Sequence, residues 1–235
     1  MAALEATAPK PSLARQLSIL HGSGDLQLFL NTFKPLTEKN AEGKKALARA
    51  WRTADPNGNR ICSLAELDRF VKAALIAKHG PAKGAALWKL FRPSTICAFN
   101  DAKDYKKDDG KDVTGAGSTA DDFVSPGEFR LFCAYSVVYA AMYDGFSKVD
   151  GYGEGKEGDD RRVSLDEWLA GYNGLKDYGF VAFEGIADDE TATAVFHAID
   201  SNGGGFVMLD EYCAYVKEKE IENKTLLGDM LNAEE

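Results

Sequence analysis

The stretch Asp55-Pro-Asn-Gly-Asn-Arg-Ile-Cys-Ser-Leu-Ala-Glu66 carries oxygen at fixed intervals. Counting Asp55 as position one, side-chain oxygens fall at positions one (Asp55), three (Asn57), five (Asn59), nine (Ser63) and twelve (Glu66). Ile61, at position seven, has only its backbone carbonyl to offer. Hard divalent cations take about six to eight oxygens, with a bidentate carboxylate closing the set, and this spacing supplies them. Working outward, Leu47, Ala50, Trp51 and Ala54 precede the loop at helical spacing, and Leu67, Phe70, Val71 and Ala74 follow it. The stretch therefore reads as a cation loop between two amphipathic helices.

Comparing the chain with itself extends the pattern. The end of the first loop, Ile61-Cys-Ser63-Leu-Ala-Glu66, returns as Phe123-Val-Ser125-Pro-Gly-Glu128, Arg162-Val-Ser164-Leu-Asp-Glu167 and Phe206-Val-Met208-Leu-Asp-Glu211. A serine three residues before a glutamate is also a helix capping box. Capping alone explains three copies but not the one with Met208, nor the acidic, glycine-rich segments before several of them. Four EF-hand-like helix–loop–helix units are expected, making a mainly α, two-lobed protein with short paired strands in the loops. The expected divisions are an N-terminal tail with short helices over 1–39, one lobe over 40–140, a second over 141–225, and a C-terminal tail over 226–235. Helices are expected around Leu13–Leu20 and Leu26–Phe33. Phe129–Val149 is expected as one long helix joining the lobes.

The loops differ in quality. Unit one has only two charged ligands and places Arg60 where glycine normally makes the turn; a non-glycine residue there costs on the order of 1 kcal/mol. Unit four, Asp200–Glu211, offers Asp200, Asn202, the Phe206 carbonyl and Glu211, with Gly205 at the turn, but Gly204 and Met208 bring no oxygen at positions five and nine. Unit three, from Asp150 to Glu167, is about six residues too long; a distorted secondary set would draw on Asp150, Glu154, Asp159 or Asp160 with Glu167. Unit two, from Asn100 to Glu128, is longer still. The cation these oxygens suit is calcium, in the weak range of about 10⁻⁵ to 10⁻³ M for unit one.

The remaining composition narrows the function. The chain has 235 residues and a formal net charge of −9, which disfavours nucleic acid as a partner. No apolar run reaches the roughly 18 residues of a membrane span. Met1-Ala-Ala carries neither a secretion signal nor the glycine needed for N-terminal acylation. The four cysteines (Cys62, Cys97, Cys133 and Cys213) stand apart among apolar residues, which points to free thiols in a reducing compartment, and only three histidines accompany them. No nucleophile–base arrangement is legible, and Gly151-Tyr-Gly-Glu-Gly-Lys156 lacks the ending of a phosphate loop. An enzyme is not expected.

Three further stretches resemble the calflagins, the flagellar calcium-binding proteins of flagellated protists. They are Ala98-Phe-Asn-Asp-Ala-Lys103 through Asp122-Phe-Val-Ser-Pro-Gly-Glu-Phe-Arg-Leu-Phe-Cys-Ala-Tyr135, then Met142-Tyr-Asp-Gly-Phe-Ser-Lys-Val-Asp150, and lastly Thr193-Ala-Val-Phe-His-Ala-Ile-Asp200 with Asp210-Glu-Tyr-Cys-Ala-Tyr215. The resemblance implies a two-lobed calcium sensor residing in a flagellum or cilium, on the cytoplasmic side, with ions mainly in the third and fourth units. The family's acylated Gly-Cys start and regular third loop are absent here. Two readings follow: a calcium-binding flagellar sensor, or a calcium-independent structural or adaptor protein of the axoneme. Either has a flagellar or microtubule-associated protein as its partner.

Overall fold

The computed structural model describes residues 22–103, 122–150 and 161–231. The helix expected over Leu13–Leu20 lies outside them. Helix α1 (Gly24–Thr37) starts where the Ser23 hydroxyl accepts the Leu26 N–H at 3.0 Å. Its buried stripe, Leu26, Phe29, Leu30, Phe33 and Leu36, follows the helical period. Helix α2 (Ala41–Ala54) is capped by Asn40, whose side chain accepts the Gly43 N–H at 2.7 Å. Helix α3 (Leu64–His79) opens on a reciprocal cap between Ser63 and Glu66 and stops at Gly80 (φ 84°). Pro81, whose missing N–H costs nothing at a first helical position, then opens α4 (Pro81–Lys103). A Cβ on Gly84 would lie 2.5 Å from the Ile76 backbone, so glycine is what lets α3 and α4 close into a tight hairpin.

Helix α5 (Phe129–Val149) is the centre of the molecule and spans the stretch expected as one long helix. Every residue from Phe132 to Met142 is buried, because α1, α4 and the segments after residue 164 pack around it. A helix apolar on all sides has no solvent face to present. Strand β1 (Arg162–Ser164) leads into α6 (Leu165–Gly171), followed by 3-10 turns at Tyr172–Tyr178 and Val181–Phe183. Then come α7 (Asp189–Ile199), β2 (Phe206–Met208), α8 (Leu209–Glu222) and α9 (Leu226–Leu231). The fold is mainly α.

One two-stranded ladder and one isolated antiparallel bridge tie the loops together. Strands β1 and β2 run antiparallel with Val163 opposite Val207, both fully buried. In the first half, Cys62 and Val124 exchange both backbone hydrogen bonds at 2.8 and 2.9 Å and are likewise fully buried. Each pairing thus ties one loop to another at matching positions. Aromatic rings fill the space behind them. Phe29, Phe33, Phe70, Phe91, Trp51 and Phe129 gather beside the bridge, and Phe146, Trp168, Phe183, Phe196 and Tyr212 beside the ladder. The two groups belong to one continuous core running along α5.

Candidate cation-binding loops

In the first loop, Asp55 ends α2 and is buried (7% exposed). One of its oxygens, Oδ2, accepts the Arg60 N–H at 3.0 Å. The other, Oδ1, is buried without a hydrogen-bond partner. Asn57 Oδ1 accepts the Asn59 N–H (2.9 Å), and Asn59 Oδ1 accepts the Ile61 N–H (3.1 Å), so both amides brace the loop backbone. Because the Asn57 oxygen is used in this way, its amide nitrogen faces Glu66 and donates to Oε1 at 3.0 Å. Glu66 Oε2 accepts both the N–H and the hydroxyl of Ser63, each at 2.9 Å. Arg60 adopts φ 66°, the left-handed geometry expected of the glycine it replaces.

The fourth loop repeats this frame with different chemistry. Asp200 accepts the N–H groups of Gly204 and Gly205 on its two oxygens, each at 2.9 Å. Asn202 Nδ2 donates to Glu211 Oε1 at 2.5 Å, and the Met208 N–H donates to Glu211 Oε2 at 3.0 Å. Gly203 (φ 68°) and Gly205 (φ 80°) supply the turns without strain. Phe206 starts β2 opposite Ser164, its ring 44% exposed beneath the Arg162 guanidinium at 5.5 Å. Among the sequence-predicted ligands, hydrogen bonds join Asn57 and Ser63 to Glu66 and the Asn59 side chain to the Ile61 N–H in the first loop, and Asn202 to Glu211 in the fourth, while Asp55 and Asp200 hold backbone N–H groups of their own loops.

The third unit holds a register that the length of its loop concealed. Arg161, at φ 63°, donates its N–H to Asp150 Oδ2 at 3.0 Å, reproducing the contact between Arg60 and Asp55. Arg161 is thus position six, which makes Val163 position eight, Ser164 position nine and Glu167 position twelve. Glu167 Oε2 accepts the Ser164 N–H at 2.8 Å and the Ser164 hydroxyl at 2.7 Å, as Glu66 does with Ser63. The extra residues fall between Asp150 and Arg161. Setting Arg60-Ile-Cys-Ser63 beside Arg161-Arg-Val-Ser164 is the signal that finds this register. Glu154, Asp159 and Asp160, the other carboxylates expected of this loop, lie outside the described residues. In the second unit α4 runs through Asn100 to Lys103, so Asn100 is a helical residue. Glu128 Oε2 accepts the Ser125 N–H at 2.7 Å just before α5, and Pro126 lies in the turn ahead of that helix.

The donor set of the first loop fits a hard dication: two carboxylates, two amide oxygens, a hydroxyl and a carbonyl, with one carboxylate oxygen buried and unmatched. A buried acceptor with no donor costs about 1–3 kcal/mol, which a cation would relieve. The two carboxylates also act on Cys62: burial, then Glu66, then Asp55, push its thiol up to about 12. Among the described residues, no three His, Cys, Asp or Glu side chains converge on one point, so neutral oxygens must complete either loop. The fourth loop fits less well, because both Asp200 oxygens are engaged and position five has no side chain.

No protein-family model matches the chain. Two curated proteins of Trypanosoma brucei brucei, flagellar calcium-binding protein TB-24 and flagellar calcium-binding protein TB-1.7G, are each 31% identical to it over 125 residues. The matched segment is 53% of this chain and 49% and 46% of theirs, so the chain spans about half the length of the curated relatives it matches. No described helix is long and apolar enough to cross a membrane.

Proposed function

We propose that the chain is a calcium-binding EF-hand protein of a flagellum or cilium. Its four helix–loop–helix units stand as two pairs, over 40–140 and 141–225, and it binds calcium through Asp55–Glu66 and Asp200–Glu211. The observation that carries this reading is the shared frame of the two loops. A position-one aspartate gathers backbone N–H groups, a position-twelve glutamate binds positions three and nine, and a short ladder or bridge couples each loop to a neighbour. The names of the two trypanosome relatives support both the ion and the compartment. The function is binding rather than catalysis. Its site is on the cytoplasmic side of the axoneme, and its partner is a flagellar or microtubule-associated protein.

The sites are weak, on the order of 10⁻⁵ to 10⁻³ M for the first loop, because each loop has only two carboxylates at ligand positions. Calorimetric titration of calcium into the metal-free protein tests this, beside Glu66→Gln and Glu211→Gln. Heat that disappears with one substitution assigns the ion to that loop. Absence of heat, with no shift in Tm at millimolar calcium, rules the sensor out.

One observation favours a second reading. The amides of Asn57 and Asn202 already tie positions three and twelve together without an ion. A loop that closes in this way suits a calcium-independent adaptor, whose partner binding would be indifferent to chelator.

A further inference from the structure

The net charge of −9 conceals a sharp segregation. Residues 1–103 hold 16 lysines and arginines against 8 aspartates and glutamates, whereas residues 104–235 hold 12 against 29. The first part is therefore +8 and the second −17. Within the basic part, α2 concentrates the charge. Its inward positions, Ala46, Leu47, Ala50 and Trp51, pack on the core, while Lys44, Lys45, Arg49 and Arg52 are all exposed. Lys45, Arg49 and Arg52 follow at helical spacing along one stripe, and Glu42 is the only acid on the helix. None of the four forms an ion pair among the described residues; Arg49 donates only to the Lys45 carbonyl of its own helix. Some cations elsewhere in the basic part are used internally, as in Lys83 with Asp25, and Arg92 with Asp68 at 3.2 Å.

We propose that the cationic face of α2, formed by Lys44, Lys45, Arg49 and Arg52, docks an extended acidic peptide segment of a partner protein. Charge complementarity selects an anion, and the layout selects its size. Fixed charges act over about 8 Å at physiological ionic strength, so a narrow peptide on α2 senses the local lysines and arginines alone. A bilayer or a nucleic-acid duplex presents a far larger anionic surface than four side chains on one helix can match, and the net −9 of the whole chain opposes it. A membrane would also draw on exposed apolar side chains, and the large ones among the described residues are Leu90, Phe206 and Met208, none of them on α2. A second copy of the chain also carries acidic residues, and the mass measurement below separates that occupant from a peptide. This proposal is independent of calcium, since it requires only the exposed face of α2.

The test is fluorescence anisotropy of a labelled twelve-residue peptide of alternating glutamate and glycine, titrated with the full chain across a salt series. Binding that weakens steadily from low to physiological salt is the expected result. Lys44→Gln with Arg52→Gln should cut affinity about threefold to tenfold, the size expected for two exposed ion pairs. Lys176→Gln with Lys224→Gln changes net charge equally on the acidic part and should alter affinity less than about twofold. Arg52→Lys should bind as the parent does. Glutamine is a good helix former, so the variants keep the helix, which circular dichroism verifies. The proposal is overturned by no peptide binding, or by equal losses in both double variants. Binding to vesicles containing phosphatidylserine but not to the peptide overturns it in favour of a membrane, and a concentration-dependent rise in mass in favour of self-association.

Discussion

The Asn57 amide nitrogen donates to Glu66 Oε1 at 3.0 Å, so the first loop is closed by a hydrogen bond from a neutral amide to the carboxylate, between positions three and twelve. Replacing that donor separates the stability of the loop from its affinity. Asn57→Asp puts two carboxylates face to face. In chelator we expect a loss of about 1 kcal/mol, seen as a lower Tm; in calcium we expect tighter binding, about tenfold, and a Tm at or above the parent's. Equal Tm changes in chelator and in calcium would show that this loop takes no ion.

Asp144 should act as an anchor for the start of α1. Its carboxylate accepts the Ser23 N–H at 2.8 Å, the Ser23 hydroxyl at 2.5 Å and the Tyr178 hydroxyl at 2.7 Å, while only 9% exposed. Asp144→Ala strands the buried Tyr178 hydroxyl and should cost about 2–4 kcal/mol in urea unfolding. Asp144→Asn keeps one acceptor oxygen and should cost less. If the loss is local, limited proteolysis will also cut sooner near Gly22.

Glu220 supplies a pH signature. It is 2% exposed, accepts the Val181 N–H at 2.9 Å and meets the Thr225 hydroxyl. Burial raises its carboxyl above the ordinary 4.5, more than these hydrogen bonds lower it. Folding therefore favours the protonated form. The stability it contributes is complete below 4.5 and is lost as pH rises through the folded value. Glu220→Gln, which keeps both contacts, should match the parent in acid and exceed it in Tm at neutral pH. Parallel curves across that window would contradict this assignment.

Phe129 is the joint of the first aromatic group. Its ring lies 5.2 Å from Trp51 and 5.4 Å from Phe70, and it stacks on Phe132 at 6.1 Å. Phe129→Ala should cost about 3–5 kcal/mol and shift Trp51 emission to the red. Without a red shift, Trp51 cannot owe its packing to that ring.

The thiols should prove slow to alkylate in the folded state. Burial pushes those of Cys62, Cys97, Cys133 and Cys213 upward, and Cys62 and Cys133 are buried outright. Half-exposed Cys97 should react first with iodoacetamide at pH 8, as mass mapping would show. Early labelling of Cys133 would indicate local opening of α5.

The frame of the two loops is legible in the sequence because its capping and turn residues recur at fixed spacing. Asp55–Glu66 and Asp200–Glu211 can be read residue by residue, and the apolar run Phe129–Val149 announces its helix by having no breaker before Gly145. Unit three resisted, because an insertion erases spacing and only backbone geometry shows that Arg161 stands for Arg60. The 3-10 turn at Tyr172–Tyr178 has no period of its own; packing of Tyr172, Leu175 and Tyr178 creates it. Helix α9 is equally silent in sequence. The Thr225 hydroxyl caps it through the Gly228 N–H, and Leu227 and Leu231 bury against the core. The charge segregation was readable from the first, but net charge alone averages it away.

The burial of α5 has a mechanical consequence. A connecting helix bathed in water can bend or melt at its middle, and the bodies at its ends then swing freely. Here the three central turns are gripped from all sides. Bending them would tear apart the packing of both aromatic groups together, at the cost of much of the core. Packed in this way, the helix is a shaft rather than a hinge.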